Sequence, residues 1–196
     1  TVVRVEQAPP DDLSSAIAEQ LAPEALRVKR GTRTLCDIWI AKQWPIQAGF
    51  TSDGVVLYPF HEGQLLGVVQ YHRQGGDFRG QDVDQGGYTL RYGQQPVDGT
   101  HVGTSPTRDF ALLVPAGDDQ SADAIDADTL VDLSTKASGT THPALLCMLA
   151  TEADTEGTPE MRHHAEQDLW AVRFVGQGDA DGAASDLVVE MVVVGH

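Results

Sequence analysis

The sequence predicts a mainly β protein: a two-layer antiparallel β-sandwich or jelly roll with one or two short peripheral helices. Three observations point there. Apolar side chains alternate at period two over Thr34–Ile40, Tyr88–Tyr92, Leu169–Val175 and Leu187–Val194, the spacing that lines one face of a strand. The chain's 20 glycines and 10 prolines punctuate these runs at the short intervals of an all-β domain. The regular strand–helix alternation of a doubly wound sheet is missing.

The elements follow in order. Thr1–Val5 is Val-rich and reads as a strand, stopped by Pro9-Pro10. It pairs either with its own sheet, the commoner arrangement, or with the sheet edge of a neighbouring subunit, which would make it a handle for self-association. Asp11–Ser15 supplies helix-capping side chains, and Leu13, Ile17 and Leu21 recur at period four, so a short helix is expected over Asp12–Leu21. Ala25–Gly31 and Thr34–Ile40 read as strands. In the second, Cys36, Ile38 and Ile40 share one face and Leu35, Asp37 and Trp39 the other. Val55–Phe60 and Leu65–Tyr71 are strand segments separated by His61-Glu62-Gly63. Arg73–Gly87 reads as a long surface loop, Tyr88–Tyr92 as a strand, Gly93–Thr107 as a polar loop and Phe110–Val114 as an apolar strand. Ala127–Ala137 fits a short helix, and Ala144–Leu149 is a buried element of open type. Leu169–Val175 and Leu187–Val194 form a hairpin around the loop Gly176–Asp186, with Leu187–Val194 central and buried on both faces.

The 196 residues fit a single β-rich domain spanning 1–196, and 41% apolar composition is enough for a real core. The apolar run Val188–Val194 falls far short of the ~20 residues a membrane helix needs, so no membrane insertion is expected. Thirteen Lys and Arg stand against 29 Asp and Glu, a formal net charge of −16. A chain so acidic is repelled by phosphates, which argues against nucleic acid, and it tolerates cationic partners such as Ca²⁺. The sequence opens at Thr1 without Met or a basic-apolar leader and reads as a mature chain after signal-peptide removal, placing it in the periplasm or outside the cell. Cys36 and Cys147 each sit in an apolar run; two buried free thiols are the simpler reading, and a disulfide requires those segments to be neighbours.

Phosphate-cradling, dinucleotide, zincin and nucleophile-elbow signatures are absent from the sequence. Four constellations remain. The polar stretch Pro96–Asp109 carries His101, Arg108 and Asp109 among small residues, with Asp98-Gly99 as a turn signal. Arg and His there suit a carboxylate or sulfate, and His61 is a fourth member if its turn lies at the same end of the sheet. Equally, these are ordinary turn formers. The histidines His61, His72, His101 and the pair His163-His164 suit a transition metal only if three converge, and adjacent strand residues point to opposite faces. The acidic turns at Asp82 and Asp84, at Glu152–Gly157, and at Asp179 and Asp181 are fragments of a Ca²⁺ loop or plain solvated turns. Finally, Asp37 and Glu190 interrupt apolar strands and need partners, for which Arg27, Arg33, Arg91 and Arg173 are available.

The segments Leu57–Val68, Gly87–Pro96 and Arg108–Ala116, with Gly-Tyr-Thr-Leu at Gly87–Leu90, resemble a family of exported bacterial β-sandwich proteins of unknown function. The resemblance implies export and a β-rich fold and carries no activity or site residues. The expected function is thus a non-catalytic exported module that binds an unidentified ligand or partner protein, or assembles with other chains, with no cofactor required and Ca²⁺ the one ion its acidic loops suit. The alternative is a metal-dependent enzyme built on the histidines and carboxylates named above.

Overall fold

The structure is a computed structural model that describes residues 1–97, 101 and 103–195. Among these, thirteen strands dominate: β1 (Val2–Glu6), β2 (Glu24–Arg30), β3 (Arg33–Ile40), β4 (Trp44–Pro45), β5 (Leu65–Tyr71), β6 (Gly75–Gly76), β7 (Asp82–Val83), β8 (Gly86–Gln94), β9 (Asp109–Pro115), β10 (Leu145–Leu149), β11 (Glu160–His164), β12 (Leu169–Ala180) and β13 (Ala183–Val194). Two α-helices, α1 (Ser15–Ala18) and α2 (Ala127–Ser138), and a 3₁₀ turn at Ala116–Asp118 complete the fold.

Ten strands run as one antiparallel path, β1-β2-β3-β5-β8-β9-β10-β13-β12-β11. The path folds over on itself. Its first half supplies Leu26, Val28, Cys36, Ile38, Val69 and Leu90 to the main core, and its second half supplies Leu146, Met148, Val172, Phe174, Val189 and Met191. Period two in each strand sends these side chains inward. β4, just past the end of β3, tethers the layers by pairing in parallel with β12 at Trp44–Gly178 and Pro45–Asp179. The two edge strands β1 and β11 come into contact, yet among the described residues no backbone ladder joins them, so the sandwich is not a closed barrel.

The outer faces are also partly buried. α1, capped by Ser14 Oγ accepting from Ile17 N at 3.3 Å, presses Ile17 onto Trp39 and Val68. α2 begins with Asp126 accepting from Thr129 N at 3.0 Å and ends at Gly139, whose φ of 63° is the left-handed cap conformation. It packs Leu130 over Phe110, Leu112, Val114 and Cys147.

Several expectations need correction. The first helix is one turn, not Asp12–Leu21: its cap is Ser14, and Leu21 is already extended, bridging Ala41 just ahead of Pro23. Leu13 and Leu21 still join the same apolar cluster. Val55–Phe60 is not a strand. Leu57 N and Tyr58 N donate to the Asp109 carboxylate rather than to a neighbouring strand, and only Phe60 makes a bridge, to Ile46. Gly176–Asp186 is not a loop. β12 and β13 run on to a two-residue turn, Asp181-Gly182, with φ of 53° and 88°, the positive-φ pair a tight hairpin demands. Arg73–Gly87 contains the β6–β7 ladder, and Glu160–His164 forms a strand, β11, where the sequence pattern predicts none. Ala144–Leu149 resolves as β10, and the thiols Cys36 and Cys147 are both free and buried. β1 pairs with β2 of its own sheet, which leaves its outer edge unpaired among the described residues.

Candidate functional site

The Gly93–Asp109 end of β8 holds the residues that sequence chemistry favours, and there the structure spends them on anchoring. Asp109 is fully buried. Its carboxylate accepts from Leu57 N at 2.8 Å, Tyr58 N at 3.4 Å and the Tyr92 hydroxyl, so it holds down the crossing segment 55–58. Burial pushes its carboxyl above the ordinary value, against the lowering effect of those donors. Arg108 turns to the Gln95 carbonyl, Nε to O 2.9 Å, and its own N–H donates to Val55 O. His61 is exposed at the turn before β5, and among the described residues no hydrogen bond or ion pair joins it to Arg108 or Asp109. His101 accepts through its carbonyl from Thr104 Oγ1 at 3.0 Å. The Asp98-Gly99 turn signal lies outside the described residues.

The remaining buried charges are pins of the same kind. Arg91, in the middle of β8, grips Asp119 with two hydrogen bonds, Nε–Oδ2 2.8 Å and Nη2–Oδ1 2.9 Å, and donates to the carbonyls of Gly63, Ser121 and Asp123. Arg173 in β12 does the same for the 151–160 segment, donating to Thr151 Oγ1, to Glu160 and to the carbonyls of Glu152, Asp154 and Glu156. A guanidinium has five donors in a fixed fork, so one side chain can fasten a whole loop. Asp37 pairs with Arg27, Nη2–Oδ2 2.8 Å, and with His72 at 2.9 Å. Burial alone would raise its carboxyl, but those partners outweigh it and hold it below the ordinary value. Glu190 meets His164 and Arg162 across the outer face of β11. His163 stacks on Trp170, centroids 4.3 Å apart, and reaches Asp168 at 2.9 Å. Each of these three histidines is thus taken up separately, and among the described residues no three His, Cys, Asp or Glu side chains gather as a metal site. Asp179 accepts from Gly182 N at 2.8 Å to close the hairpin, with Asp181 at its tip; Asp82 lies in β7 and Asp84 just beyond it.

The opposite end of the sandwich differs. There the ends of β2, β3, β5 and β13 leave a groove of about 220 Å³. Leu35, Tyr71, Val193 and Val194 give it an apolar body, the Gly75–Gly76 strand forms one wall, and Arg30 and Arg73 stand on the rim. The wall is rigid: Asp77 accepts from Arg79 N, Gln81 N and Gln81 Nε2, each at 2.8 Å, and from Leu145 N at 3.3 Å. Gly75 lies flat on the Tyr71 ring, where a Cβ would come within 2.5 Å. Tyr71 is 3% exposed. Among the described residues its hydroxyl makes no hydrogen bond, and burial pushes its ionisation well above the ordinary value, so it stays a neutral O–H.

Charge sets this end apart. Arg30 and Arg33 face each other across the β2–β3 hairpin, beside Lys29, and Arg73 adds a further cation. Among the described residues none of the three arginines has an ion-pair or hydrogen-bond partner, whereas Arg27, Arg91, Arg162 and Arg173 all do. Sequence reasoning missed the groove because its parts come from three separated segments, the β2–β3 hairpin, Tyr71–Asp77 and Val193–Gly195. The one local signal was Lys29-Arg30-Gly31-Thr32-Arg33, a basic hairpin tip in an acidic chain.

Comparison with protein families, with curated proteins and with solved structures finds no match for the chain.

Proposed function

We propose that the protein is a non-catalytic binding module whose working surface is the groove between the ends of β2, β3, β5 and β13, and that its ligand is a small anionic molecule. One observation carries this reading. In a chain of net charge −16, unpaired cations collect at the rim of an apolar groove. Arg30 and Arg73 have no carboxylate partner among the described residues, and like charges facing each other across a hairpin, as Arg30 and Arg33 do, are destabilising. An anion held between them relieves both. The volume, about 220 Å³, lies below the ~300–1,000 Å³ of sites for drug-sized ligands, so the ligand is small. Loop walls fixed by Asp77 supply the preorganisation that lets a shallow site bind at all. The cysteine thiols are buried and pushed up in pKa, so neither supports a nucleophilic reading.

The test is a fragment screen by ligand-observed NMR against the wild type and Val194→Trp, a substitution that fills the groove. Anionic fragments should bind the wild type and lose contact with the variant at unchanged melting temperature. Equal binding to both proteins moves the site elsewhere.

A further inference from the structure

We propose that the groove selects a monocarboxylate borne on a compact apolar or aromatic body, an inference that rests on the binding-module reading above. The shape of the site divides a ligand in two. Arg30 and Arg73 stand on the rim, with Arg33 directly across the strand from Arg30, so a negative head sits at the mouth. Guanidinium forks match the two oxygens of a carboxylate in a plane, and hydrogen bonds between two ionised partners are the strong ones. Beneath the rim, Leu35, Val193 and Val194 offer only apolar surface. A polar body such as a sugar would set hydroxyls against these three side chains, where they find no partner. Tyr71 adds a hydroxyl, a neutral donor or acceptor able to take one heteroatom of the body, while Gln74, Asp77 and the Gly75–Gly76 backbone complete the lining, the Asp77 carboxylate being already taken up by its own loop.

Total charge decides between carboxylate and phosphate. A net charge of −16 repels an approaching anion in proportion to the anion's own charge, so a dianion meets twice the long-range penalty of a monoanion. The attraction of the guanidiniums grows with the anion's charge in the same way, so the choice also rests on shape: two rim guanidiniums match the two oxygens of a carboxylate, whereas a phosphate dianion brings a third charged oxygen that the rim leaves facing the acidic chain. A singly charged head is therefore favoured, and the remaining affinity comes from burying an apolar body.

The experiment titrates the intact, ¹⁵N-labelled chain with three probes that share a ring and differ in head: benzoate, benzyl alcohol and phenyl phosphate. Benzoate should shift the amides of Tyr71–Gly76 and Val193–Gly195 most strongly. Arg30→Gln with Arg73→Gln should weaken benzoate about tenfold and leave benzyl alcohol unchanged, because only the charged head uses those side chains. Added salt should weaken benzoate and not the alcohol. Benzyl alcohol binding as well as benzoate, or phenyl phosphate binding more tightly, would overturn the carboxylate assignment while leaving the groove as the binding site. If no probe moves the groove amides, both this inference and the proposed function fail.

Discussion

Replacing Asp109 by alanine tests whether the most chemically suggestive carboxylate in the sequence is a structural pin. The side chain is fully buried and accepts from Leu57 N, Tyr58 N and the Tyr92 hydroxyl. A buried donor left without a partner costs about 1–3 kcal/mol. The Leu57 and Tyr92 bonds carry the larger share, since Tyr58 N lies at 3.4 Å. Against this, burial holds the wild-type carboxyl above its ordinary pKa, so its charged form is itself under a desolvation penalty that the alanine removes. The balance is a loss of about 2–4 kcal/mol, combining two orphaned donors with that relief. For a chain of this size that is a fall in melting temperature of about 5–15 °C. Asp109→Asn keeps one acceptor and should lose about half as much. The pH dependence has a definite sign. A carboxyl whose folded pKa is raised binds its proton more tightly in the folded state. Its contribution to stability is therefore fully present below the unfolded value of ~3.9 and is lost as pH rises through the folded value. The wild type should lose ground to Asp109→Asn across that window and level off above it. The assay is calorimetry of the wild type and both variants from acid to neutral pH. An Asp109→Ala protein melting within a degree or two of wild type would refute the anchoring role and return Asp109 to the functional surface.

Three other outcomes follow from the packing. Burial pushes both thiols up, so neither Cys36 nor Cys147 should react with a disulfide reagent at about pH 8 in the folded protein, and both should react after denaturation. Burial also raises all four tyrosines, Tyr58, Tyr71, Tyr88 and Tyr92, so tyrosinate absorbance should stay absent past the ordinary ~10 and rise only as the protein unfolds; a normal titration of one tyrosine would expose its site. A Cβ at Gly176 would lie 2.1 Å from the Trp44 ring, which is 1% exposed. Gly176→Ala should therefore cost about 1–3 kcal/mol by overpacking and shift tryptophan fluorescence as the β4–β12 tether loosens, and an unchanged melt would show that the tether is soft.

The fold class was legible because it depends on local alternation. In β3, Cys36, Ile38 and Ile40 do face the main core and Asp37 and Trp39 the outer face, whereas Leu35, expected with the latter two, packs against the main core beside the register shift between Val28 and Lys29, and β5 runs over Leu65–Tyr71 as its pattern requires. Asp37 finds Arg27, one of the partners expected for it, because β2 and β3 are adjacent and register places them opposite each other. Glu190 could not be read the same way. Arg173 is its cross-strand neighbour, yet that guanidinium turns to the 151–160 segment, and Glu190 is met instead by Arg162 and His164 of β11. β11 escaped notice for the same reason: Met161 is its one apolar residue, and an outward face of Glu160, Arg162 and His164 looks like loop until its ion pairs are known. Val55–Phe60 failed in the other direction, being apolar enough for a strand while its amides go to a carboxylate 51 and 52 residues on. The groove needed three chain segments to converge, information that exists only in the long-range pairing.

The position of a bound anion decides between the two ends of the sandwich. A crystal of the protein soaked with 4-bromobenzoate locates the ligand through the anomalous signal of bromine. The bromine should lie over Leu35 and Val194, with the carboxylate between Arg30 and Arg73. A bromine at the other end of the sandwich, beside Arg108 and His61, would contradict it and show that the polar Gly93–Asp109 end is the working surface after all.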